Sequence, residues 1–147
     1  MTTKEAFEYL GQIRKVEREM KRLELAIQQA SFSLLPGAVR YDKERVNTSP
    51  GDMLTKTFAE IDEMERELKA NYKKKTEFLN EIYRTIEERM PEDTEAHQIE
   101  KNVVTMYFIG RQSIQEISDT LNYSTRHTYR LRNKGVRTFA EVMSHDS

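Results

Sequence analysis

Apolar residues recur from the start of the chain at alternating steps of three and four. Ala6, Tyr9, Ile13, Val16, Met20, Leu23, Ile27, Ala30 and Leu34 keep that step without a break, and Leu10 widens the stripe. Such a row is a heptad seam and predicts one long helix over about residues 3–34. Thr2 and Glu5 have the spacing of a capping box at its start. Between the seam positions lie Arg14, Lys15, Glu17, Arg18, Glu19, Lys21, Arg22 and Glu24. Interleaved charges of both signs read as a solvated face with some i,i+4 pairing rather than as a nucleic-acid helix.

Leu35-Pro36-Gly37 stops this helix, because proline disfavours helix just before it and glycine frees the backbone after it. A linker of over ten residues follows, long for a helix hairpin. Ser49-Pro50-Gly51-Asp52 then reopens a helix, with Ser49 as N-cap, Pro50 in the first turn and Asp52 near the orphan amides. The second helix runs to about Met90, with the seam Leu54, Phe58, Ile61, Glu65, Leu68, Tyr72, Lys75, Leu79, Ile82 and Ile86. Glu65 and Lys75 are wrong for a buried seam, and the neighbouring Met64 and Phe78 are placed to cover for them. Two long helices of similar length predict an antiparallel coiled-coil hairpin over residues 1–90, with a loop at about 35–51. A hairpin buries one stripe per helix, so Leu10, Leu25, Met53, Met64 and Phe78 are left for self-association, a homodimer through the hairpin.

From Pro91 the pattern shortens to three helices. Pro91-Glu92-Asp93-Thr94-Glu95 is an acidic first turn, and Ile99, Val103, Met106 and Tyr107 are spaced as the buried face before Gly110. Ser113-Ile114-Gln115-Glu116 is a capping box, with Ile114, Ile117 and Leu121 inward. Asn122 suits a left-handed end, and Ser124 caps a last helix to about Met143. Thr128, Leu131, Gly135, Val136, Phe139 and Val142 form its inward side, with small Gly135 allowing close approach to the helix of residues 95–109. A short helix, a three-residue turn and a basic helix make a helix-turn-helix pattern over residues 91–147. The fold class is therefore all-α.

Charge sharpens that reading. The net charge of −1 hides an asymmetry: residues 1–96 carry 17 Lys+Arg against 20 Asp+Glu, and residues 97–147 carry 7 against 5. Within 124–138 stand Arg126, Arg130, Arg132, Lys134 and Arg137 with no acidic residue. A local cationic stretch acts within a Debye length, about 8–10 Å, whatever the whole-chain balance. The outward face of the last helix offers Thr125, Arg126, His127, Tyr129, Arg130 and Asn133, with Ser124 at its start. Lys134 and Arg137 sit farther along, placed for phosphates. Arg grips guanine edges bidentately, while Lys and Ser mainly position on phosphates. These nine residues are the candidate surface for double-stranded DNA. The pattern alone also fits a small helical bundle with a solvated basic face.

The stretch from Gln115 to Leu131, Gln-Glu-Ile-Ser-Asp-Thr-Leu-Asn-Tyr-Ser-Thr-Arg-His-Thr-Tyr-Arg-Leu, resembles the promoter-reading C-terminal domain of bacterial sigma factors. With the coiled-coil N-terminus, and with Arg45-Val46-x-x-Ser49-Pro50 before the second helix, the chain is similar to small phage and prophage proteins of Gram-positive bacteria. These are the late-gene transcription regulators of the ArpU and RinA type. The resemblance implies a sequence-specific DNA-binding protein in the cytoplasm of a bacterial host, acting in transcription regulation and able to meet host RNA polymerase. It implies a recognition surface of Thr125, Arg126, His127, Tyr129 and Arg130. The chain departs from the sigma pattern at Thr128, where an aliphatic residue is usual, and at Gly135, where Ala is usual.

Other classes find less support. There is no Cys, which removes disulfides and thiol chemistry and fits a reducing cytoplasm. Gly11, Gly37, Gly51, Gly110 and Gly135 are scattered and make no phosphate loop. His97, His127 and His145 lie far apart, and Asp62, Glu63, Glu65 and Glu67 read as a solvated helix face. The expectation is no enzyme, no cofactor and no metal site. Apolar runs such as Met106-Tyr107-Phe108-Ile109 are too short for a bilayer, and the start of the chain lacks an apolar signal segment. Two readings stay beside the regulator: a DNA-packaging subunit like small terminase proteins, and a coiled-coil adaptor that binds protein without DNA.

Overall fold

The computed structural model describes residues 1–34 and 50–145. The stop at Leu35-Pro36-Gly37, the Ser49 cap and the Arg45-Val46 motif fall outside the described residues. The protein is all-α. Its helices are α1 (Thr3–Leu10), α2 (Gln12–Phe32), α3 (Pro50–Arg89), α4 (Glu95–Val104), α5 (Ile114–Leu121) and α6 (Thr125–Ser144). A π-helical turn, Thr105–Ile109, continues α4. Among the described residues no helix is long and apolar enough to cross a membrane.

The first helix is not continuous as expected. Gly11 interrupts it, with φ −82° and ψ 2°. The Gly11 amide still donates to the Phe7 carbonyl at 3.0 Å, and a Cβ there would lie 3.0 Å from that oxygen. At the start of α1, Thr2 Oγ1 accepts from the Glu5 amide at 3.1 Å. The Glu5 side chain does not complete the box; its Oε1 accepts from the Thr2 hydroxyl instead.

The chain forms two compact units: Met1–Lys15 with Lys75–Ser147, and Val16–Lys74. The first unit is built around one buried cluster. Ala6, Leu10 and Ile13 meet Ile82 and Ile86 of α3 and Met90 just beyond it, Val104 and Phe108, and Val136, Phe139 and Ala140 of α6. Phe108 and Phe139 are fully buried, each contributing about 1.5–3 kcal/mol of apolar burial. Tyr9 stacks on Phe139 at 5.9 Å, and Phe7 meets Phe108 edge-on at 5.5 Å. This cluster draws on both sides of residue 90, where the sequence pattern suggested a division between hairpin and C-terminal domain.

Two charged residues are buried here and both have partners. Lys101 Nζ donates to the Glu87 carbonyl at 3.1 Å and pairs with the Glu92 carboxylate. Glu100 Oε2 accepts from the Thr138 hydroxyl at 3.0 Å, tying α4 to α6. Such pairing is what allows a charge to leave water.

Among the described residues of the second unit, Val16, Met20 and Leu23 are buried, at steps of four and three. Tyr72 Oη donates to Glu24 Oε1 at 3.4 Å between α3 and α2. The α3 residues turned inward are Met53, Thr57, Ile61, Met64, Leu68 and Asn71. Leu54, Phe58 and Tyr72 of the expected seam are 41%, 61% and 49% exposed. The heptad row is correct at Ile61, Leu68, Ile82 and Ile86 but one residue off at Leu54, Phe58, Glu65 and Tyr72, where Met53, Thr57, Met64 and Asn71 turn inward instead. A straight α-helix drifts about 20° per heptad from a 3.5-residue repeat. Four heptads accumulate about 80°, close to the 100° of one residue, so a strict seven-residue count along a helix of this length slips by one position.

Candidate nucleic-acid interface

Local sequence sets the geometry of α5 and α6. Ser113 Oγ accepts from the Glu116 amide at 3.1 Å, and Glu116 Oε1 accepts from the Ser113 amide at 3.5 Å, the reciprocal capping box. Asn122 ends α5 in the left-handed region, φ 59° and ψ 44°. Ser124 Oγ accepts from the His127 amide at 3.1 Å and opens α6. Three residues therefore separate the two helices, as the sequence pattern predicted.

Two contacts seat α6. The first is between hydroxyls. Thr128 is fully buried, and its Oγ1 lies 2.8 Å from Ser118 Oγ of α5. Ser118 Oγ also donates to the Ile114 carbonyl at 2.8 Å, and Thr128 Oγ1 to the Ser124 carbonyl at 2.9 Å. The threonine in place of an aliphatic residue is thus matched by a serine on the facing helix, and neither hydroxyl is orphaned. The second is at Gly135. A Cβ there would lie 2.5 Å from Val104 Cγ2 and 3.1 Å from the Glu100 carbonyl oxygen. Glycine lets α6 approach α4 at a distance that no other residue permits.

The end of α4 is held from a distant part of the chain. The Gly110 amide reaches back to the Thr105 carbonyl at 2.9 Å, the wide spacing of a π-turn, and Arg111 follows with φ 54°. Arg14 Nη2 donates to the carbonyls of Tyr107 and Gln112, both at 2.9 Å, and its guanidinium lies 4.0 Å from the Tyr107 ring centroid. Arg14 is therefore not part of a solvated face. It satisfies carbonyls that the helix end leaves over.

All nine candidate residues, Ser124, Thr125, Arg126, His127, Tyr129, Arg130, Asn133, Lys134 and Arg137, are exposed. They do not share one face. At 100° per residue, Arg126, Arg130, Asn133 and Arg137 fall in one row opposite the buried Thr128, Gly135 and Phe139, with Lys134 beside them. The row from Arg126 to Arg137 is about 16 Å long. Among the described residues, no ion pair engages Arg126, Arg130, Lys134 or Arg137. Thr125 and Tyr129 lie on one flank of that row. His127 lies on the other, its ring edge-on to Tyr123 at 4.9 Å. Ser124 is occupied as the helix cap.

Arg132 was not among the candidates. It lies about 120° around α6 from Arg126, outside the outward row, and its guanidinium rests over Phe7, Tyr107 and Tyr129, at 5.1, 4.8 and 5.1 Å from the ring centroids. No local signal marks this, because two of the three rings come from elements far away in sequence. At the start of α4, His97 Nδ1 lies 2.6 Å from Asp93 Oδ1, and that hydrogen bond holds the Asp93 carboxyl below its usual range. Among the described residues no group of three His, Cys, Asp or Glu side chains is placed to hold a metal ion. No family model matches the chain, and neither curated proteins nor solved structures give a match.

Proposed function

We propose that the protein binds double-stranded DNA in a sequence-specific manner, with α5 and α6 acting as a helix-turn-helix and α6 as the recognition helix. One observation carries the reading: a row of Arg126, Arg130 and Arg137 with Lys134 beside it, engaged in no ion pair among the described residues, on a helix whose opposite side is anchored by Gly135 and Thr128. A fixed helix with a free basic face suits a major groove about 12 Å wide. The likeness of residues 115–131 to the sigma promoter-reading domain supports use in phage or prophage transcription regulation, in the cytoplasm of a bacterial host and within reach of its RNA polymerase. The second unit would serve self-association. Exposed Leu54, Phe58 and Tyr72 on α3 support a homodimer formed there, and two half-sites would add specificity.

The same exposed apolar positions also suit a protein-binding adaptor, and a DNA-packaging subunit would use both parts. Gel shifts of the full chain on fragments of a phage genome separate these readings. Retardation of particular fragments in the presence of excess unrelated DNA supports the regulator. Absence of retardation at low salt leaves the adaptor. A ring-sized mass by light scattering favours packaging.

A further inference from the structure

Arg132 sits where three rings meet. Phe7 comes from α1, Tyr107 from the π-turn and Tyr129 from the preceding turn of α6, and all three centroids lie within 5.1 Å of the guanidinium carbon. A guanidinium held among three rings is restrained in position before any ligand arrives. From there Nη2 donates to Asn133 Oδ1 at 3.0 Å and Nε to the same oxygen at 3.3 Å. Arginine carries only N–H donors, so the end of the Asn133 carboxamide that faces it must be the oxygen. The amide nitrogen is the end left to face outward. Asn133 belongs to the exposed row of α6 with Arg126, Arg130 and Arg137.

Resting on the DNA-binding reading above, we propose that Arg132 is a positioning residue that turns Asn133 into a donor-only reader of base edges, selecting guanine against adenine. An asparagine grips adenine through both ends of its amide, the oxygen accepting from N6 and the nitrogen donating to N7. With Oδ1 committed to Arg132, only the second half of that contact is free. Guanine offers two acceptors in the major groove, N7 and O6, and both suit an outward amide nitrogen. The orientation is set by rings on α1 and the π-turn, away from the row itself, so it exists in the free protein and needs no ordering on binding.

The test is selection from a randomised duplex pool by the full chain, its Asn133→Ala, Arg132→Leu and Arg132→Lys variants, with helicity and melting recorded for each. The wild type should enrich guanine at one position that Asn133→Ala makes indifferent. Arg132→Leu should move that position toward adenine by about tenfold in the guanine-to-adenine ratio and leave the other positions unchanged. Arg132→Lys, which still offers only donors, should keep guanine. A purely structural Arg132 would weaken binding to all sequences without changing one base. An Arg132→Leu variant that melts like the wild type and selects the same bases overturns the proposal. So does adenine in the wild type at the Asn133-dependent position, a result that needs only Asn133→Ala and stands even if Arg132→Leu unfolds. A wild type that binds no duplex at all fails the DNA-binding reading itself, a different and separately visible outcome.

Discussion

Gly135 of α6 faces Val104 of α4 so closely that a Cβ on the glycine would lie 2.5 Å from Val104 Cγ2. The Glu100 carbonyl, 3.1 Å from the same point, closes the other side. Helix propensity alone says that alanine here is better by about 1 kcal/mol. Overpacking against a backbone oxygen and a branched side chain costs about 1–3 kcal/mol and should outweigh that gain. Gly135→Ala is therefore expected to destabilise by up to about 2 kcal/mol in thermal melting. Adding Val104→Ala should recover part of the loss that belongs to the steric contact, a coupling that distant sites do not show.

The hydroxyl pair between α5 and α6 makes a gentler prediction. Ser118 and Thr128 bring two protons to three close oxygen contacts, and each retains a carbonyl of its own helix if the other is removed. Thr128→Val and Ser118→Ala should each cost less than about 1 kcal/mol, since neither leaves a buried donor stranded. A double-mutant cycle on the pair should give a coupling of about 0.5–1 kcal/mol. A loss of several kcal/mol in either single variant would mean that the contact holds the two helices more firmly than its chemistry suggests.

Two arginines on α2 should behave differently. Arg22 makes a surface pair with Glu19, and Arg22→Met is expected to leave the denaturation midpoint almost unchanged. Arg14 donates to two carbonyls at the end of α4, so Arg14→Met should cost about 2 kcal/mol. Arg14→Lys should restore only part of it, because an ammonium can donate to the two carbonyls as Nη2 does but lacks the planar guanidinium that lies on Tyr107. Chemical denaturation of the three variants checks the contrast.

Tyr9 supplies a pH dependence. Burial against Phe139 is the main cause that raises its phenol above the ordinary value of 10.0, and the Glu81 carboxylate adds to it. The folded state thus favours the neutral phenol. Its contribution is complete below the ordinary tyrosine value and is lost as pH rises through the higher folded value. Wild-type melting temperature should therefore fall more steeply above about pH 10 than that of Tyr9→Phe. Parallel alkaline profiles would show that the phenol is not held neutral by the fold.

The parts of this structure that depend on near neighbours were legible in the sequence. The Ser113–Glu116 box, the left-handed Asn122 and the Ser124 cap each involve residues three or four apart, and each is found where the spacing placed it. Gly135 was readable too, because a glycine inside a helical pattern asks for a reason. The remainder depends on long-range contacts. Arg14 is separated from the Gln112 carbonyl by 98 positions, and nothing beside it in sequence distinguishes it from Arg18. Arg132 lies about 120° around α6 from Arg126, so its register alone puts it outside the row; that Phe7 and Tyr107 lie beside it is what no helical wheel can show. The α3 seam shifted for a third reason: a seven-residue count was applied to a helix that turns every 3.6 residues.

The most direct test of the central claim is the binding of the full chain to specific and scrambled duplexes at several salt concentrations, with Arg126→Ala beside Arg137→Ala. Arg126 lies in the first turn of α6, the part of a recognition helix that meets base edges, and Arg137 lies three turns farther on. The account predicts that Arg126→Ala weakens the specific complex by about 1–3 kcal/mol while sparing the scrambled one. Arg137→Ala should weaken both alike and lower the salt slope by about one unit. If the wild type does not distinguish the duplexes, or if neither substitution changes affinity, α6 is not a recognition helix and the account is contradicted.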